Sequence, residues 1–154
     1  MSDLEFFGHI VDGVEVESLD GQRFDVWNPW TRAVWAQAAE GSVADAARAV
    51  DSSRRAFDEG DWPRLGRGER AKAIHRLADL MEKRTDDLAR LDSTNMAKPF
   101  EQAKHDVGRS VWNFRFFADH QRDHVGEVYP MDSGHHTYSE FGPAGVVAAI
   151  SPWN

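Results

Sequence analysis

Four residues with distinct chemical properties, Ser151, Pro152, Trp153 and Asn154, follow directly on an apolar run that ends at Ile150. In open α/β sheets, ligands bind just beyond the carboxyl ends of the strands. Proline fixes the backbone at such a place, and tryptophan supplies a flat apolar wall. An asparagine amide can donate a hydrogen bond to a developing oxyanion. The pattern predicts a ligand site; a plain loop with an aromatic residue packed into the core is the alternative.

The preceding run AGVVAAI, residues 144–150, does not alternate between apolar and polar residues. This pattern predicts a strand buried on both faces, as in parallel sheets that are covered by helices. A parallel partner strand needs a crossover of about a dozen residues or more. We therefore expect residues 143–154 to begin a sheet that a larger enzyme completes.

The first forty residues contain short extended patterns. Residues 6–17 alternate loosely around Asp12 and Gly13, and this dipeptide predicts a hairpin. Residues 24–27 and 33–38 predict a second extended pair. We expect this β arm to be packed internally by three tryptophans, Trp27, Trp30 and Trp35.

Three helical patterns follow the arm. Ser42 can cap the first helix, with Asp45 at the spacing of a capping box. Apolar residues at helical spacing predict a buried face for this helix. They are Val43, Ala46, Ala47, Val50 and Phe57.

The second helical pattern runs from about Arg67, bends near Thr85 and continues to about Met96. Pro99 suits the first turn of the third helix. The buried side of the third helix is predicted to contain Phe100, Ala103, Val107, Val111, Phe114 and Ala118. Residues 127–130 and 136–141 predict two further strands.

Other polar clusters are weaker candidates for chemistry. His120 and His124 have a spacing that could bind a metal, but the sequence between them lacks the glutamate of the zinc-helix motif. We expect a solvated helix end there and no metal. A basic cluster, Arg64, Arg67, Arg70 and Lys72, is interpreted as a solvated helix face. The net charge of −8 makes nucleic acid a poor partner.

The composition is that of a globular protein, with 41% hydrophobic and 29% charged residues in 154. There is no cysteine, which excludes disulfides, a thiol nucleophile and thiolate metal sites. The acidic start, MSDLE, lacks the features of a signal peptide. The longest apolar run is too short to span a membrane. These features predict a cytoplasmic protein with no membrane partner.

Several segments, in order, carry a family resemblance. The segment GPAGVVAAISPWN resembles the characteristic run of the NAD(P)-dependent aldehyde dehydrogenase superfamily. DVWNPWTRAV resembles the N-terminal hairpin of that family. The stretch from residue 56 to residue 100, and HVGEVYPMDSGHHTYSEF after it, are also similar to family segments. The resemblance covers nearly the whole chain.

The resemblance implies an α/β fold and three parts. Residues 1–126 would form a small β arm and the helices of the cofactor-binding domain. Residues 127–142 would form strands of the family's oligomerisation sheet, so a homo-oligomer is expected. Residues 143–154 would form the first strand and loop of an incomplete Rossmann-like cofactor domain.

The resemblance also implies roles for the residues of the opening pattern. Asn154 matches the oxyanion donor, and Ile150, Ser151, Pro152 and Trp153 match the segment that lines NAD or NADP. The complete enzyme would oxidise an aldehyde to a carboxylic acid through a cysteine thiohemiacetal. In the family, the cysteine nucleophile and the glutamate base follow this motif in the sequence. This chain alone is therefore expected to be inactive. The alternative is a non-catalytic partner that docks on a full-length relative through its strands.

Three departures from the family pattern concern the backbone and a cation site. Arg32 and Ala33 replace a common Gly-Glu turn, and Ala97 replaces the usual glycine before Lys98. Asn95 stands where many members have an aspartate that helps to bind a monovalent cation. Asparagine is a neutral ligand, so no cation site is expected here.

Overall fold

The computed structural model describes residues 4–152, which form a mixture of strands and helices. This confirms the predicted α/β class. The strands of the N-terminal arm are β1 (Glu5–Phe7), β2 (His9–Val11), β3 (Val14–Val16), β4 (Arg23–Asn28) and β5 (Ala33–Ala39). The remaining elements are α1 (Val43–Asp58), α2 (Arg67–Lys83), α3 (Thr85–Met96), α4 (Phe100–Asp123), β6 (Val128–Tyr129) and β7 (Thr137–Tyr138).

The arm contains the predicted hairpin and the predicted second pair. Strands β2 and β3 are antiparallel, and Asp12 and Gly13 turn between them with φ of 52° and 76°. Two successive positive φ angles are the signature of a type I′ turn, which matches the twist of the strands. In the second sheet the order is β1-β5-β4, with β1 parallel and β4 antiparallel to β5.

The tryptophans of the arm are less buried than the sequence predicts. Trp35 makes an edge-to-face contact with Phe7, with ring centroids 5.7 Å apart. Trp27 and Trp30, however, are 57% and 75% exposed. The prediction of internal packing is therefore correct for Trp35 and wrong for the other two, because a three-stranded sheet this short cannot cover the large rings near its turn.

Helix α1 begins with the predicted capping box. The Asp45 amide donates to Ser42 Oγ at 3.2 Å, and the Ser42 amide donates to the Asp45 carboxylate at 3.0 Å. The predicted buried face is wrong, since Val43 and Val50 are 90% and 55% exposed. Instead the polar side faces the arm, where Ser52 Oγ bonds to the Asp12 carboxylate at 2.6 Å.

The core lies between α2, α3 and α4, and it is built from small residues. Its most buried members are alanines, which let the helix axes approach closely. These are Ala71, Ala78, Ala89, Ala103 and Ala118, all no more than 2% exposed. Among residues 4–152, no large side chain is fully buried. None of the helices in this range combines the length and the hydrophobicity that a membrane-spanning helix requires.

Helices α2 and α3 are separated by a bend at Arg84, close to the predicted position near Thr85. Helix α3 ends at Met96, and Ala97 follows in the left-handed region with φ 55°. Pro99 stands immediately before α4, one position earlier than predicted. The left-handed residue reverses the chain, so that α3 and α4 pack against each other.

Candidate functional site

The predicted ligand site falls at the end of the described part of the chain. Ile150 is 96% exposed, and Ser151 and Pro152 are also exposed. Trp153 and Asn154 lie outside the described residues. The structure therefore brings none of the three described site residues into a common cavity.

Residues 144–150 do not form the predicted strand; their backbone is irregular and Val147 is 72% exposed. A strand is stabilised by ladder hydrogen bonds to a neighbouring strand. The described strands pair only within the two arm sheets and the β6–β7 ribbon, which leaves this segment without a partner among residues 4–152. The apolar residues of this segment suit a buried strand, but a strand also requires a neighbouring strand, which composition does not provide.

A groove with a volume of about 580 Å³ lies beside the segment that precedes residues 144–150. One wall is the C-terminal half of α4, a second is the short 3-10 helix Trp62–Arg64 with the start of α2, and the third is the segment 141–145. Its walls combine aromatic and basic side chains. They include Trp62, Arg67, Arg70, Phe117, His124 and Phe141.

Three arginines around this groove donate to backbone carbonyl groups. Arg64 donates to the carbonyl oxygens of Asp58, Glu59 and Gly60 at 3.0, 2.5 and 2.7 Å. The last carbonyls of a helix have no partner within the helix, so these bonds complete the C-terminus of α1.

Arg67 and Arg70 act in the same way on other segments. The Arg67 guanidinium donates to the His124 carbonyl oxygen, just beyond α4, at 2.5 Å. Arg70 donates to the Leu65 carbonyl oxygen. Arg64, Arg67 and Lys72 are exposed, in agreement with the interpretation of this cluster as a solvated face, and Arg70 is half-buried. Sequence reasoning missed the bonds of the three arginines because backbone acceptors carry no sequence signal.

A continuous series of rings in contact, which we call the aromatic ladder, runs along α4 and just beyond its end. It consists of Trp112, Phe116, His120, His124 and Phe141. Successive ring centroids are 5.5, 5.9, 5.8 and 4.0 Å apart. The first four rings recur every fourth residue, which places them on one face of the helix. The last ring ties the segment after β7 to the end of α4.

In this arrangement the His120 ring stacks on Phe116, and the His124 ring makes tilted contacts with His120 and Phe141. Among residues 4–152, no group of three or more His, Asp or Glu side chains could hold a metal ion. The groove also contains no carboxylate paired with a histidine. Its chemistry is that of a packing surface with positive charge, and it offers no nucleophile.

A second hollow of about 400 Å³ lies beside the junction of α3 and α4. Lys98 Nζ bonds to the carboxylates of Asp92 and Asp106 at 2.7 and 3.1 Å. These bonds raise the pKa of Lys98, and its ammonium lowers the pKa of Asp106. Lys98 is therefore charged at neutral pH, which suits an ion pair joining the two helices and excludes an amine nucleophile.

Comparison with known proteins decides the family. Residues 16–154 match the model of the aldehyde dehydrogenase family. The chain belongs to the aldehyde dehydrogenase family. Among its family relatives, the mitochondrial benzaldehyde dehydrogenase of Antirrhinum majus is 38% identical over 146 residues. Those residues are 94% of this chain and 27% of the relative.

Solved aldehyde dehydrogenases have the same arrangement of elements. The NAD+ complex of the enzyme from Bacillus cereus superposes with a TM-score of 0.83 at 31% identity, over 87% of this chain and 28% of that one. A betaine aldehyde dehydrogenase from Staphylococcus aureus, in complex with NAD+, gives a TM-score of 0.78 at 29% identity, over 82% of this chain and 26% of that one. The chain thus spans between 26% and 28% of the length of these three relatives.

Proposed function

We propose that this chain is the N-terminal portion of an enzyme that oxidises an aldehyde to a carboxylic acid with NAD or NADP. The observation that carries the proposal is the family match over residues 16–154. The NAD+ complexes of two structural relatives support the class of cofactor. In the complete enzyme the aldehyde carbon would form a thiohemiacetal with a cysteine.

The isolated chain is expected to have no dehydrogenase activity. Covalent catalysis of this kind needs a thiolate nucleophile, and the 154 residues contain no cysteine. The test incubates the purified chain with NAD or NADP and a panel of aromatic aldehydes, betaine aldehyde and semialdehydes. Absorbance of the reduced nicotinamide should stay at the level of buffer, while the Bacillus cereus enzyme serves as the positive control. Turnover that survives repurification contradicts the proposal.

The proposed roles of the terminal segment belong to the complete enzyme. There, Asn154 would donate to the oxyanion, and Ile150, Ser151, Pro152 and Trp153 would line the dinucleotide. In the described part of the chain, residues 150–152 are exposed and line neither hollow, so they do not build a dinucleotide site. Isothermal titration of the chain with NAD and with NADP is expected to give no saturable heat. Saturable binding of either nucleotide contradicts this assignment.

A second candidate function is association with a full-length relative through the β6–β7 ribbon. Val128 and Tyr138 are 66% and 59% exposed, and within residues 4–152 each of the two strands pairs only with the other. Unpaired strand edges are templates for strand addition.

This second candidate is tested by mixing the chain with the intact Bacillus cereus enzyme and following size-exclusion chromatography. Co-elution that is lost in Val128→Pro, which cannot donate a ladder hydrogen bond, supports the docking role. Ile10→Pro in the arm hairpin is the matched control and should co-elute. Separate elution of the unaltered chain contradicts it.

A further inference from the structure

The groove of about 580 Å³ beside the end of α4 is bordered by aromatic rings that the chain leaves uncovered. Trp62, Phe117 and Phe141 all line it, and they are 49%, 62% and 56% exposed. Small-molecule sites are concave and are lined mainly by apolar and aromatic side chains, with a few polar groups that fix the orientation of the ligand. The three rings therefore offer flat apolar faces to a small planar molecule.

The charge on the walls of this groove is positive. Arg67 and Arg70 line it, and among the described residues no aspartate or glutamate does so. Each of these arginines donates to a backbone carbonyl group through Nη1 only, which leaves the other donors of its guanidinium for a ligand. In a chain with a net charge of −8, the groove is thus a place that attracts anions.

Gln121 supplies a further donor in the same groove. Its side-chain nitrogen, Nε2, is shielded from solvent and has no hydrogen-bond partner among the described residues. A buried donor without an acceptor costs free energy, so nearly all such groups in proteins are paired. A ligand with an acceptor oxygen would supply the missing bond.

The wall formed by residues 141–145 is held at both ends. The Phe141 ring lies 4.0 Å from the His124 ring. At the other end, a Cβ on Gly145 would lie 3.4 Å from Nη1 of Arg54 in α1, so the backbone packs closely against that side chain. A groove that is already formed loses less affinity to the ordering of its walls when a ligand binds.

We propose that this groove binds a small aromatic carboxylate. The aromatic part of the ligand packs against Trp62, Phe117 and Phe141, and its carboxylate accepts hydrogen bonds from Arg67 and Gln121. The planar fork of a guanidinium matches the two oxygens of a carboxylate. A neutral aromatic molecule leaves these donors unpaired and an inorganic anion leaves the rings uncovered, so both should bind more weakly.

The binding assignment does not rest on the proposed function, because it depends only on the side chains of the groove. If the complete enzyme oxidises an aromatic aldehyde, its product belongs to the class of ligand that the groove binds. The experiment uses the isolated chain without an aldehyde. Its failure therefore leaves the proposed function intact, and failure of the proposed function leaves the binding site intact.

The test is isothermal titration of the purified 154-residue chain with 2-naphthoate. A dissociation constant of about 1 mM or tighter is expected. Three compounds are compared with it: 2-naphthamide has the same rings without the charge, cyclohexanecarboxylate has the charge without an aromatic ring, and inorganic phosphate has neither ring nor carboxylate. Each should bind at least about tenfold more weakly. Absence of saturable heat with 2-naphthoate, or equal affinity for any of the three compounds, overturns the proposal.

NAD is added as a competitor to separate this site from a dinucleotide site. The negative charge of NAD lies on a diphosphate, which ribose groups separate from both rings, so NAD does not combine ring and charge as a carboxylate on a ring does. NAD at the concentration of 2-naphthoate should not displace it. Displacement would overturn the assignment to an aromatic carboxylate.

Variants locate the bound ligand. Arg67→Gln should weaken binding of 2-naphthoate at least about tenfold, because a charge-assisted pair is lost. Arg64→Gln is the matched control and should stay within about twofold, since Arg64 is exposed and also donates to backbone carbonyls but does not line the groove. Unchanged affinity in a folded Arg67→Gln variant overturns the proposal.

A second variant covers the case in which Arg67→Gln does not fold. Gln121→Met removes the donor while it keeps the length of the side chain, and it should weaken binding of 2-naphthoate about fivefold. The free energy of unfolding, measured by urea denaturation, should not fall, because the lost nitrogen has no partner among the described residues. A purely structural role of Gln121 would lower the stability and leave the affinity of the folded chain unchanged, and that result overturns the proposal.

Discussion

The bundle of α2, α3 and α4 and the segment of residues 124–152 are stabilised in different ways. In the bundle, Ala78, Ala89 and Ala118 have no exposed surface, and Lys98 joins α3 to α4 through two carboxylates. In residues 124–152 no side chain is buried. The short ribbon is held by a few exposed bonds, such as that from the Ser139 amide to the Glu127 carbonyl oxygen at 2.9 Å.

This difference indicates which part of the chain is packed by its own residues. Helices satisfy their own backbone hydrogen bonds and need only a packing partner. A strand must form its backbone hydrogen bonds with another strand. The bundle finds its packing partners within 154 residues, whereas the apolar run at 144–150 does not find a strand among the described residues. The following predictions test this contrast.

Overpacking the bundle should have the largest effect. Ala78 is 0% exposed in α2, so Ala78→Leu forces additional methyl groups into the closely packed core. The free energy of unfolding should fall by about 1–3 kcal/mol, measured by urea denaturation with circular dichroism. Val147→Leu in the second region is the matched control and should change it by less than about 0.5 kcal/mol. Equal changes in the free energy of unfolding at positions 78 and 147 would show that the bundle is no more tightly packed than residues 124–152.

Removing the cap of α1 should have an intermediate effect. This helix has no buried apolar face, so it depends on its polar ends. Ser42→Ala should lower the free energy of unfolding by about 1 kcal/mol. Ser53→Ala, which removes an exposed hydroxyl that bonds within the helix, is the control. An unchanged Ser42→Ala stability would show that the capping box is unimportant.

The same cap predicts a pH dependence. The Ser42 hydroxyl and amide, followed by the Leu19 amide, hold the pKa of Asp45 well below its ordinary value. The unfolded carboxyl binds a proton first, so this stabilisation is present above about pH 4 and is lost as the pH falls further. The difference in free energy of unfolding between the unaltered chain and Ser42→Ala should therefore become smaller when urea denaturation is repeated below that pH. A difference that does not change with pH would contradict a role for the charge of the Asp45 carboxylate.

Relieving backbone strain in the bundle should have a smaller effect of opposite sign. Ala97 has a φ of 55° where the chain turns from α3 to α4. A left-handed alanine costs about 1–2 kcal/mol, and the greater freedom of unfolded glycine offsets roughly 0.5–1 kcal/mol. Ala97→Gly should raise the free energy of unfolding by about 0.5 kcal/mol. A lowered value would mean that the left-handed turn is not populated in solution.

Disrupting the ribbon should leave the global stability nearly unchanged. A Cβ on Gly126 would lie 2.0 Å from the Ser139 carbonyl oxygen, so Gly126→Ala must separate the two strands. Hydrogen exchange in residues 127–139 should accelerate. The free energy of unfolding of the helices, measured by urea denaturation, should change by less than about 0.5 kcal/mol. Gly108→Ala, where a Cβ meets open space, is the control for exchange in the ribbon. Global unfolding in Gly126→Ala would show that the two regions are coupled.

Local rules predicted much of the fold. The Asp12–Gly13 hairpin, the Ser42–Asp45 cap and the bend near Thr85 were predicted because each depends on residues close in sequence. The burial of α1 was predicted wrongly, because apolar spacing shows only that a face could be buried. Whether it is buried depends on another element reaching it, and the polar face of α1 meets the arm at Asp12 instead.

For the candidate site the division is similar. Motifs that run from the arm to the terminal loop were sufficient to indicate the family, and the composition excluded a cysteine nucleophile within this chain. Three features became visible in the folded chain alone: Arg64 and Arg67 bind backbone carbonyls, the aromatic ladder is exposed, and residues 144–150 are not a strand. The physical reason is that residue identity sets what a segment can bond to, while burial and strand pairing depend on which other segments are present.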